Sequence, residues 1–113
     1  MGGSLFRGSS FRQEWYTGND GLRHYEVMTE ESHALSHSTW RELKEFFAKL
    51  GVPMEAWPVY EDNIDLPLSE IEARNTELRR HLAVVSLGED APYWSVVVFD
   101  AIRAGKRVFF TDV

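Results

Sequence analysis

The chain contains no cysteine, so neither a disulfide framework nor a thiolate metal site is available to it, a usage that suits a reducing compartment. No run approaches the roughly 18 consecutive apolar residues that a membrane-spanning helix requires. The opening stretch MGGSLFRGSS lacks the apolar centre of a secretion signal. A cytoplasmic protein with no membrane partner is the expectation. Phe6 stands where a myristoylation signal needs Ser or Thr, which removes that reading as well. Residues 1–10 are expected to form a flexible Gly/Ser-rich lead, followed by a single domain over residues 11–113. Missing too are the Walker-type phosphate loop, the glycine-rich dinucleotide turn, the nucleophile elbow and a Ser-His-Asp order. No cofactor is expected.

What is present is core material. Of 113 residues, 43% are hydrophobic, and seven Phe, four Trp and four Tyr supply large side chains, enough for one core and too little for two independent ones. Net charge is −6, and its placement is uneven: Glu55, Glu61, Asp62, Asp65, Glu70, Glu72 and Glu77 face Arg74 alone between residues 55 and 77. Such a segment repels phosphate backbones and attracts basic surfaces, which argues against direct nucleic-acid binding and for a basic protein partner.

Local patterns give an element order. Two aromatic-rich runs flank Gly18-Asn19-Asp20-Gly21, residues that accept the positive φ of a tight reversal, and predict a hairpin with strands near 11–17 and 22–28. Thr39-Trp40-Arg41-Glu42 fits a capping box, with Ser38 as the alternative cap. Trp40, Leu43, Phe46, Phe47 and Leu50 then recur at helical spacing up to Gly51 and Pro53, predicting a helix over 39–50. Ser69-Glu70-Ile71-Glu72 is a second capping box, opening a helix to about Val84. YWSVVVF and KRVFFTDV read as two β-branched, aromatic strands, and DAIRAG between them is too short for a parallel crossover. The expected fold is therefore α+β in the order ββααββ, a two-layer sandwich with a four-stranded antiparallel sheet and two helices on one face.

Four constellations carry candidate chemistry. His33 and His37 are four apart and would share a helix face; as metal ligands they would need Glu30, Glu31 or His24 to complete a shell, and no glutamate follows the first histidine as in zinc proteases. His24 and Glu26 fall on one face of a strand and are the only local acid–base pair a small hydrolase or nuclease could use. Leu68, Ile71, Asn75, Leu78, Leu82 and Val85 follow heptad spacing with one polar member, the pattern of a register-setting dimer seam and equally of a helix packed on its own domain. Trp57 and Tyr60, interleaved with Glu61, Asp62, Asp65 and Glu70, make an acidic, aromatic surface suited to a basic partner. The expectation from the charge pattern is a small binding protein, an inhibitor or regulator of a basic toxin, nuclease or other nucleic-acid-binding protein. The hydrolase and the homodimer are its alternatives.

Overall fold

A computed structural model describes residues 3–61 and 67–112. The chain runs β1 (Gly3–Gly8), β2 (Arg12–Thr17), β3 (Arg23–Met28), β4 (Glu31–Leu35), α1 (His37–Lys49), a single 3-10 turn (Met54–Ala56), β5 (Val59–Glu61), α2 (Leu68–Leu82), α3 (Tyr93–Arg103) and β6 (Arg107–Asp112). The class is α+β. The main sheet has the order β4-β1-β6-β5, in which β1 is antiparallel to both of its neighbours, β4 and β6, and β5 joins parallel to β6; β2 and β3 form a separate two-stranded ribbon.

This departs from the expected sandwich in three places. The segment 3–8, expected within a flexible lead, is the strand β1 between β4 and β6, with Leu5 fully buried. Its glycines are what permit the packing. A Cβ on Gly3 would collide with the Thr111 carbonyl, and one on Gly8 would lie 3.1 Å from the Glu30 backbone nitrogen. Second, YWSVVVF is the start of α3 and not a strand: Ser95, Val98, Phe99, Ala101 and Ile102 are its buried positions, a helical pattern that a continuous apolar run conceals. Third, the sheet is mixed, and three helices accompany it instead of two.

The hairpin expected around Gly18–Gly21 is present, with Gly21 at φ 78°. It is the outer half of a longer ribbon. β1 pairs with β4 from Gly3↔Leu35 to Arg7↔Glu31, and β2 with β3 from Arg12↔Met28 to Thr17↔Arg23. Four residues, Gly8 to Phe11, therefore oppose two, Thr29 and Glu30. This two-residue excess bends the ribbon, as bulges do, and carries β2–β3 out of the main sheet as an arm. The molecule measures 48 × 27 × 23 Å.

α1 begins at His37, two residues before the expected start, because Ser36 is the cap: its hydroxyl accepts from the Thr39 backbone N–H at 3.2 Å. The helix ends as anticipated at Gly51, φ 80°. α2 begins at Leu68 after Pro67, without the Ser69–Glu72 capping box. Trp40 and Phe47 of α1 meet Trp57, and Trp40 and Trp57 meet Phe110, at centroid separations of 4.9 to 6.1 Å. These rings, with Leu5, Val98, Ile102 and Val108, form the main core on one side of the sheet. On the other side Phe109 packs with Phe6, Phe11 and Ile71.

Candidate functional site

α2 lies beside the edge of β6, not over a face. Ile71 joins the cluster of Phe109 on one side of the sheet, while Leu78 and Leu82 join that of Val108 and Phe110 on the other. Between them Asn75, 1% exposed, meets the strand edge itself. Its Oδ1 accepts from the Val108 N–H at 2.8 Å and its Nδ2 donates to the Val108 carbonyl at 2.9 Å and the Ile71 carbonyl at 3.0 Å. The expected dimer seam of Leu68, Ile71, Asn75 and Leu78 is thus corrected: Ile71, Asn75 and Leu78 are buried inside the domain, and Leu68 is half-buried.

Trp57 is corrected in the same way. It is 1% exposed, and its position among Trp40, Phe47 and Phe110 makes it part of the core and not a surface anchor. Of the remaining acidic-surface residues, Tyr60 and Glu61 lie on β5, the outer strand of the main sheet. Asp62 and Asp65 fall outside the described residues. Glu70 is exposed on the first turn of α2 and accepts from Arg74 Nε at 3.3 Å; Arg74 also donates to the Trp57 carbonyl at 3.1 Å.

The acidic segment divides in two once the fold brings arginines to it. On α2, Glu70 pairs with Arg74, Glu77 with Arg80, and Glu72 with Arg107 from β6 at 2.5 Å. That half is internally compensated. Glu55, exposed on the 3-10 turn, meets no cation among the described residues, and residues 55–65 contain no Lys or Arg.

His33 and His37 are separated by the fold. His33 is on β4 and His37 opens α1, so they share no helix face. The His33 ring lies 5.1 Å from that of Trp94, with Nε2 3.4 Å from a Glu31 oxygen, whereas His37 meets Arg41 at 2.7 Å. No group of three or more His, Asp or Glu among the described residues is arranged to hold a metal ion. His24 and Glu26 both lie on β3, opposite Tyr16 and Glu14.

The bend of the ribbon was not anticipated from sequence. Glu30 accepts from the backbone N–H and the hydroxyl of Ser9, holding the extra residues of the bulge, and these bonds lower its carboxyl below the ordinary glutamate range. Glu31 is lowered as well, first by its bond from Arg7, its register partner, and then by His33. An acidic pair following a strand, opposite Gly-Ser-Ser, was the available signal.

The fold is an α+β domain whose β2–β3 ribbon stands apart from the main sheet. No helix among the described residues is long and apolar enough to cross a membrane. No protein-family model, curated protein or solved structure matches the chain.

Proposed function

We propose that this protein is a small binding module that regulates a basic protein partner, as an inhibitor does, through the acidic stretch from Glu55 to Asp65. The observation that carries the reading is the division of charge: the carboxylates of α2 are met by Arg74, Arg80 and Arg107, while Glu55 and the acids that follow it to residue 65 have no basic neighbour in sequence. Crowded like charges repel within a Debye length of about 10 Å, and a basic surface relieves that repulsion. β5 is also an outer strand, and an outer strand offers backbone groups to an extended segment laid beside it. With Trp57 in the core, the contact rests on charge and backbone pairing instead of a tryptophan anchor.

The test begins with capture of partners from the host lysate at low and high salt. Reversing Glu61, Asp62 and Asp65 to lysine is then expected to slow association with the captured protein about tenfold or more at low salt, with the deficit shrinking as salt rises. Unchanged association in the triple variant would remove the reading.

A further inference from the structure

The ends of α2 and α3 converge on a groove of about 480 Å³ lined by Arg79, Leu82, Ala83, Ile102, Arg103 and Gly105. It adjoins a smaller depression of about 170 Å³ that shares Arg79 and Gly105 and continues past Asn75 and Thr76 to Glu72 and Arg107, which pair with each other. The larger groove falls within the size range of small-ligand sites. Its floor is apolar and its rim is cationic, in a chain whose net charge is −6.

The two rim guanidiniums differ from the other arginines of this region. Arg74, Arg80 and Arg107 each meet a glutamate. Neither Arg79 nor Arg103 meets a carboxylate among the described residues. The Arg103 guanidinium is held over the Phe99 ring at 4.3 Å from its centroid, so one cationic group is already oriented before any ligand arrives. A Cβ placed on Gly105 would find nothing within 4 Å, which leaves that wall open.

We propose that this groove binds a small amphipathic monocarboxylate, with its apolar chain on Leu82, Ala83 and Ile102 and its carboxylate between Arg79 and Arg103. The guanidinium fork matches a carboxylate in two parallel bonds. A single negative charge is favoured over a phosphate dianion because α2 and α3 both end here, at caps Ala83 and Ala104, and each helix C-terminus presents about half a negative charge. Two such ends offset part of the arginine field. A neutral chain of the same length gains the floor and none of the rim. The site is independent of the acidic stretch.

The experiment is calorimetric titration of the whole protein with sodium decanoate below its aggregation concentration, with decanol and inorganic phosphate as parallel probes. Decanoate is expected to bind at least tenfold more tightly than either. Arg79→Ala, at an exposed position, is expected to weaken decanoate about tenfold, and Ala83→Trp, which fills the groove from an exposed position, to abolish binding while the melting temperature of the free protein stays within a few degrees. Equal affinity for decanol and decanoate, tighter binding of phosphate, or undiminished decanoate binding by Ala83→Trp overturns the assignment. Should Ala83→Trp lower the melting temperature substantially, chemical-shift changes confined to Leu82, Ile102 and Arg103 on adding decanoate to the unaltered protein support it, and changes elsewhere alone overturn it.

Discussion

The carboxamide of Asn75 serves Val108 as a neighbouring strand would: it accepts from that residue's N–H at 2.8 Å and donates to its carbonyl at 2.9 Å. Just beyond, the Phe110 N–H donates to the Pro58 carbonyl and β5 takes over the edge of β6. One side chain thus completes the ladder where β5 does not reach. Replacing Asn75 by leucine strands two buried backbone groups, each of which costs about 1–3 kcal/mol when unpaired. Asn75→Leu is expected to lower unfolding free energy by about 3 kcal/mol in urea titration, with sedimentation showing the mass unchanged. A change of oligomeric state with undiminished stability would restore the dimer-seam role for Asn75.

Trp57 provides a second check, because its burial assigns it to the core. Trp57→Ala is expected to cost about 3–5 kcal/mol by the removal of a large buried ring. The indole N–H of Trp57 has no hydrogen-bond partner among the described residues, so Trp57→Phe abandons no polar contact and is expected to cost about 1–2 kcal/mol. Thermal unfolding of the two variants gives the comparison; wild-type stability in Trp57→Ala would return this residue to the surface.

The helix cap is tested by a pair of substitutions. Ser36→Ala removes the hydroxyl that accepts from the Thr39 N–H and is expected to cost about 1 kcal/mol. Thr39→Ala leaves that bond in place and is expected to cost less. The reverse order in urea midpoints would place the cap at Thr39.

At the bend of the ribbon, Glu30 and Glu31 are both lowered in the folded protein, by Ser9 and by Arg7 respectively. A carboxyl that is lowered on folding contributes stability above its unfolded value, about 4.3 for glutamate, and loses that contribution as pH falls through the folded value. Stability is therefore expected to decline on acidification from about pH 4.3 downward, and a Glu30→Gln/Glu31→Gln variant is expected to show a shallower decline. Urea midpoints across an acid series measure it, and parallel curves for the two proteins would remove the linkage.

The elements that sequence made legible are those whose pattern is local. α1 and the β2–β3 hairpin follow from helical spacing at Trp40, Leu43 and Phe47 and from the Gly18–Gly21 turn. β1 was not legible, because Gly3, Ser4 and Gly8 imitate a linker and the strands that order them are β4 and β6. α3 was hidden by its uniformity: an apolar run flanked by turns suits a buried strand or a buried helix. The candidate site shows the same limit. Counting charges along residues 55–77 finds one arginine, whereas Arg107 reaches Glu72 across 35 positions of sequence. Trp57, read as an interface aromatic from its acidic neighbours in the chain, is surrounded in space by Trp40, Phe47 and Phe110.

The pairing of β1 with β6 joins Gly3 to Asp112 and Gly8 to Arg107, so the centre of the sheet is also its most distant contact along the polypeptide. During synthesis β1 emerges first and has only β4 to pair with until nearly a hundred further residues have left the ribosome. Contacts of such long sequence separation slow folding, since loop-closure entropy is lost before the pairing compensates for it. Until β6 is present, the edge of β1 that it covers, Leu5 and its neighbours among it, is an unpaired strand edge of the kind that pairs with other chains.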